Sequence, residues 1–234
     1  MVVRIKYILV LLIGLSIFSC AYISVPKHIK QGFTFCYLEE KTSIKEIINI
    51  EGYFEMKTTN SSSLNFMFFE DGIFLYGFYD VDENRRKKGY PSISSYFKEI
   101  VNDENGQLSS VFYNSFQWGA YQIFGDIIKV QFVNHPASPS PYWSAWEVWY
   151  KVIDKNTIIE TFYKPIHYMS ESDWKNWEKN SFRRKNNIVP AKFIPVDQKP
   201  ASDCWLKMED WFWCEKEKFQ AWKKSNKIDS MHNP

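Results

Sequence analysis

Short stretches of alternating apolar and polar side chains, running from Ile48 to Tyr163, limit this chain to a small set of folds. Successive residues of a strand point to opposite faces, so Ile128, Val130 and Phe132 against Lys129 and Gln131 read as a strand with one dry face and one wet face. The same reading predicts strands over residues 49–56, 64–70, 73–80, 111–116, 118–124, 127–133, 143–153 and 157–163. Asp71-Gly72 and Gly125-Asp126 supply the positive φ that tight hairpins need, and Asp154-Lys155-Asn156 turns the chain once more. Connections this short imply antiparallel neighbours. The strands would leave exposed edges unless they close, which predicts a mainly β fold, an antiparallel up-and-down β-barrel with a few short helices. A β-sandwich is the alternative architecture.

Composition agrees with that reading. Aromatic residues make up 18% of the chain, and rings favour strands and fill sheet interiors. With 45% hydrophobic and 24% charged residues the chain is globular, which excludes overall disorder. A net charge of +2 gives no basis for a nucleic-acid partner, and the basic run from Arg85 to Lys88 reads as a solvated loop.

Between the strands, Ser92 can cap a helix over residues 93–101 with Ile93, Tyr96, Phe97 and Ile100 on one face. Residues 135–142 hold three prolines and cannot be a sheet interior. Further on, Ser170 or Ser172 can cap a helix reaching Lys179, residues 192–196 can add a last strand, and residues 215–225 read as helical.

The first residues carry a different signal. Arg4 and Lys6 precede an apolar run over residues 7–18, which is shorter than the roughly 20 residues a membrane span requires and fits an export signal. Ile17-Phe18-Ser19-Cys20 then resembles the lipobox of bacterial lipoproteins. That resemblance implies a signal peptide over 1–19 and diacylglyceryl attachment at Cys20. Two or three acyl chains at about 0.8 kcal/mol per methylene would hold the protein on a membrane. No acidic residue follows Cys20 closely, and no run of lysine and acids does either, which implies a periplasm-facing position on the outer membrane. The expected organisation is a lipidated cysteine and tether over 20–47, a barrel over 48–163, and a helical, aromatic extension over 164–234 packed on the barrel.

Export leaves three thiols in an oxidising compartment, Cys36, Cys204 and Cys214. On one continuous helix Cys204 and Cys214 would lie about 15 Å apart, beyond bridging reach, so a bond between them needs a bend. All three reduced remains open as well.

The repeated phrases Ile50-Glu51-Gly52-Tyr53, Phe69-Glu70-Asp71-Gly72, the stretch 118–131 and the stretch 150–158 resemble the hairpins of lipocalin-like lipoproteins common in Bacteroidota. Gly52 is followed by Tyr53 and Phe54, so the Gly-X-Trp opening of a true lipocalin is absent. The resemblance implies a barrel whose interior can hold a ligand, and it supplies no catalytic residues.

Phosphate loops, paired Cys-X-X-Cys motifs, zinc-protease motifs and nucleophile elbows do not occur, so the expectation is a binding protein rather than an enzyme, without cofactor or metal. His28, His135, His167 and His232 are scattered without ligand spacing. Asp80-Val81-Asp82-Glu83-Asn84 opens like a calcium loop, but Arg85 and Pro91 stand where glycine and glutamate are required. Glu147 and Glu160, the odd carboxylates within apolar strands, read as outward-facing partners for lysine.

The alternation makes Phe66, Phe68, Tyr76, Tyr121, Phe132, Trp146 and Tyr150 the candidate lining of a site for a small apolar or amphipathic ligand. The alternative is a surface interaction protein, either gripping glycan or serving as an accessory or inhibitory subunit of an envelope complex. Its contact patch would lie around Tyr142, Trp143 and Trp149, or around Trp211 and Trp213.

Overall fold

The computed structural model describes residues 24–57, 63–79, 91–134, 143–166 and 189–226. Eight antiparallel strands form a closed up-and-down barrel: β1 (Gly52–Lys57), β2 (Ser63–Phe68), β3 (Ile73–Tyr79), β4 (Gln117–Phe124), β5 (Ile127–Asn134), β6 (Ser144–Asp154), β7 (Thr157–Pro165) and β8 (Pro190–Pro195). Each strand pairs with the next, and β8 returns to β1 with Phe193 opposite Phe54.

Two sequence expectations are corrected. Residues 111–116 are not a strand but the second half of helix α4 (Gln107–Ser115). Leu108, Phe112 and Phe116 recur at helical spacing, and Asp103 accepts the amide of Ser109 at 2.8 Å. The eighth strand is therefore β8, so the barrel runs past residue 163 and into the expected extension.

Helix α3 (Ile93–Val101) forms where predicted, with the Ser92 side chain accepting from the Ser95 amide at 3.2 Å. The expected tether is largely absent: from Val25 onward the chain is folded onto the barrel. Helix α1 (Lys27–Gly32) buries Ile29, residues 33–37 cross the outside of the sheet, and α2 (Ile44–Ile47) turns inward. After β8 come two short 3-10 turns, Trp205–Met208 and Asp210–Phe212, and then α5 (Lys216–Ser225).

The result is two cores separated by one sheet. The inner core lies in the barrel and is built from Phe54, Phe66, Phe68, Phe74, Tyr121, Val130, Phe132, Val148, Tyr150 and their neighbours. The outer core lies between the sheet and the covering helices, with Tyr53, Met67, Leu75, Trp118 and Val133 packed against Ile29, Phe97, Phe112, Leu206 and Phe212. Burial on both faces explains why β2 and β3 read as nearly continuous apolar runs. Cys36 and Cys214 form a disulfide that joins the N-terminal crossing to the C-terminal layer, and Cys204 is free and buried.

The barrel has two unlike ends. At the hairpin end the strands are joined by tight turns, including Asp71-Gly72, where Gly72 adopts φ 88°. Ile44, Ile48 and Ile50 plug this end from below. The Asp71 carboxylate accepts from Ser202 at 2.6 Å, from the buried Lys207 ammonium at 2.9 Å and from the Tyr37 hydroxyl at 3.2 Å, so it ties the segment that precedes the barrel and the one that follows it to one turn. Lys199 donates to the carbonyls of Ile50 and Phe68, tying β1 to β2. At the other, loop end, the connections 58–62, 80–90, 135–142 and 167–188 lie outside the described residues, as does the expected helix at 170–179.

Lys199 gives the hairpin end a measurable pH signature. Burial pulls its ammonium down to about 8, with Glu51, Asp71 and Glu70 opposing the shift and Lys45 adding to it. A neutral amine still has two N–H groups for its two carbonyl partners. Between about pH 7.5 and 9 the unfolded chain binds more protons here than the folded one, so stability rises with pH by somewhat less than about 1 kcal/mol. Above about pH 9 the trend reverses, because burial raises the Cys204 thiol to about 12 and raises Tyr37, Tyr121 and Tyr150 as well, so the unfolded thiol and then the unfolded tyrosines ionise first. Urea midpoints measured across this range should rise and then fall, and Lys199→Met should flatten the rise. A wild-type midpoint that declines steadily from about pH 8 contradicts this assignment.

Candidate functional site

All seven candidate lining residues face the barrel interior. Pairing across the strands sets Phe66 opposite Tyr76, Phe132 opposite Trp146, and Tyr121 opposite Val130, and residues directly opposite share a face. They divide, however, into two groups by depth.

Phe66, Phe68, Tyr121, Phe132 and Tyr150 are all buried, at no more than 5% exposure. Phe66 stacks on Tyr150 with ring centroids 4.7 Å apart, and Phe68 meets Phe74 at 5.0 Å and Tyr121 at 5.4 Å. The Tyr121 hydroxyl is committed to structure, donating to the Phe69 carbonyl at 2.6 Å and meeting the Thr42 hydroxyl at the same distance. The hairpin half of the interior is thus packed with side chains rather than hollow.

Tyr76 and Trp146 lie nearer the loop end and are only half-buried. Tyr76 stacks on Phe132 at 4.1 Å, and Trp146 stacks on Tyr163 at 4.8 Å. Sequence reasoning missed Tyr163 as a lining residue because a register shift in the β6–β7 pairing, beyond Trp149 opposite Phe162, changes which residues point inward. The same shift sets Glu160 opposite Tyr150, on the inner face, which corrects the outward placement expected for it. Glu147 does face outward, 3.7 Å from Lys164, and also accepts from Gln131 and Trp149.

Tyr150 is the odd member of the set. Its ring fills the barrel, yet its hydroxyl is buried with no hydrogen-bond partner among the described residues. Burial raises its pKa well above the ordinary range, and Tyr76, Glu160 and Tyr163 are the polar groups close enough to add to that. An unmade hydrogen bond of this kind costs about 1–3 kcal/mol. Such groups are rare enough in folded proteins to point to a ligand or an ordered water.

The alternative contact patches fare unequally. Trp149 lies half-exposed on the outer sheet face, flanked by Phe162 at 4.6 Å and by the Lys129 ammonium at 4.0 Å; Phe124 and Ile153 are 48% and 52% exposed. Trp213 is buried, Trp211 packs edge-on against Phe33, Trp143 packs against Trp205, and Tyr142 lies outside the described residues.

Among the described residues no group of three His, Cys, Asp or Glu side chains is placed to hold a metal, and no helix is long and apolar enough to cross a membrane. His28 is exposed on α1, while Cys20, the calcium-like stretch 80–84, His135, His167 and His232 lie outside the described residues. Compared with known proteins, the chain matches no family model, no curated protein and no solved structure.

Proposed function

We propose that this is a lipid-anchored envelope lipoprotein, held on the outer membrane through Cys20 and facing the periplasm, that binds a small apolar or amphipathic ligand at the loop end of its barrel. The observation that carries the reading is the buried hydroxyl of Tyr150, without a hydrogen-bond partner among the described residues, beneath the half-buried rings of Tyr76, Trp146 and Tyr163. Rings supply apolar contact area and the hydroxyl supplies an orienting hydrogen bond, the combination that small-molecule sites use. The packed hairpin half restricts the ligand to a short apolar portion. The disulfide supports export, since such bonds persist in oxidising compartments.

Tyr150→Phe tests the site in two directions at once. Removing the unpaired hydroxyl should stabilise the ligand-free protein by about 1 kcal/mol or more. The same change should weaken binding of any amphiphile that quenches tryptophan fluorescence in the wild type, by roughly tenfold. Loss of stability together with unchanged affinity would remove the argument for this site, as would a fatty-acid and lysolipid panel in which nothing binds.

A second reading is a surface interaction protein that grips glycan or an envelope partner. The outer row of Phe124, Lys129, Trp149 and Phe162, with Ile153 beside it, is the observation that favours it.

A further inference from the structure

The inner wall of the barrel carries charge of one sign. The strand lysines Lys57, Lys129, Lys151, Lys164 and Lys192 all fall on the outer face. Lys57 and Lys151 are exposed, Lys129 lies 4.0 Å from the ring centre of Trp149, Lys164 lies 3.7 Å from Glu147, and Lys192 stands opposite Glu55. Glu55 and Glu147 are outer residues as well, and Asp154 is exposed at the tip of β6. Among the described residues, Glu160 is the one charged side chain of the strands that faces inward. The register shift that turns it inward also sets it opposite Tyr150, and the Cα atoms of such a pair lie about 4.5–5.5 Å apart.

The Tyr150 hydroxyl, buried and without a hydrogen-bond partner among the described residues, marks the floor of the proposed site. Phe66 stacks on its ring at 4.7 Å in the packed half, while Trp146 and Tyr163 lie half-buried toward the loop end. A ligand group that reaches this hydroxyl is thus the end that enters first. A hydrocarbon end would leave the hydroxyl unsatisfied, so the leading end is polar. A carboxylate in that position would face the Glu160 carboxylate, with no cation on the described wall to offset the repulsion. An ammonium reverses both effects. It would donate to the Tyr150 oxygen and to Glu160, and the ring faces of Trp146 and Tyr163 would attract it. Those two rings stack on each other at 4.8 Å, which leaves one face of each turned away from its partner. A carboxylate has about four acceptor positions, so a contact that Glu160 already makes leaves room for the ligand.

We infer that the ligand enters head first and that its leading group is an ammonium on a short alkyl chain. This rests on the loop-end site proposed above and narrows its ligand from any small amphiphile to a cationic one. The ammonium can come from a free amine or from an ethanolamine lipid headgroup, which share this chemistry.

The test uses the full-length protein in a non-ionic detergent and follows tryptophan fluorescence at pH 7 during titration with hexylamine, hexanol and hexanoate, which share one chain length. Hexylamine should bind roughly tenfold or more tightly than hexanoate, with hexanol between them. Glu160→Gln, which keeps the shape of the side chain, should bring hexylamine to the level of hexanol and leave hexanol itself within about twofold. Hexanoate binding as tightly as hexylamine, or a hexylamine preference that survives Glu160→Gln, would overturn the inference while hexanol binding leaves the site standing. Failure of all three to bind the wild type, a result that depends on no variant folding, would overturn the site and the inference together. Lysophosphatidylethanolamine and dodecylamine are then compared as competitors of hexylamine. The stronger competitor tells a lipid headgroup from a free amine as the source, and displacement by neither would overturn head-first entry.

Discussion

Serine in place of either Cys36 or Cys214 is expected to lower the unfolding free energy by about 2–5 kcal/mol, one of the two largest losses foreseen for a single substitution in this protein. The bond spans a sequence separation of 178 residues, so breaking it releases a very long closed loop in the unfolded chain. It also frees a local assembly. The Tyr37 amide donates to the Phe212 carbonyl at 2.7 Å, the Cys214 amide donates to the Tyr37 carbonyl at 3.1 Å, and Tyr37 stacks edge-on against Trp213. Thermal melts followed by circular dichroism should show a midpoint lowered by roughly 5–15 °C, and reductant should reproduce it in the wild type. A serine variant melting with the wild type would mean that the N-terminal crossing is held by packing alone.

Valine at Gly119 should be at least as damaging, costing about 3 kcal/mol or more and leaving little soluble protein. Gly119 lies on the inner face between Phe74 on β3 and Phe132 on β5. A Cβ there would run into the Gln131 carbonyl and come within 2.6 Å of the Phe132 Cα, so the obstacle is backbone and cannot move aside. Gly125 offers the contrast: it has a φ of 62° in the β4–β5 turn but nothing within 4 Å, so alanine there should cost only about 1 kcal/mol. Urea unfolding of Gly119→Ala beside Gly125→Ala separates the two effects. Similar midpoints would mean that β4 and β5 do not approach as closely as described.

How far the fold could be read from the sequence depended on how local each signal was. Alternation in β4, β5 and β6, and the Asp-Gly turn between β2 and β3, are written within a few residues, and they placed the strands and set all seven candidate side chains on the inner face. The Ser92 cap was legible for the same reason. Residues 111–116 misled because a two-residue alternation was read inside a longer helical spacing from Leu108 to Phe116. The last strand was legible over residues 192–196, but its role in closing the barrel was not, because more than twenty residues separate β7 from β8. Depth within the barrel is a tertiary property: nothing in the residues themselves distinguishes the packed Phe66 from the half-buried Trp146. The Cys36–Cys214 pairing and the Lys207–Asp71 contact join distant parts of the chain and carry no local mark. Glu160 turned inward because of a register shift, which alternation alone cannot anticipate.

The division of the barrel into a packed hairpin half and a ligand-accepting loop end is the claim on which the functional reading stands. Amide hydrogen exchange, measured with and without the tightest-binding amphiphile from the panel, addresses it most directly. Protection should increase in β3 around Tyr76, at the start of β6 around Trp146 and at the end of β7 around Tyr163, with no change in the turns at Gly72 and Gly125. Protection confined to the outer row around Phe124, Trp149 and Ile153, or spread evenly over both ends, would contradict it.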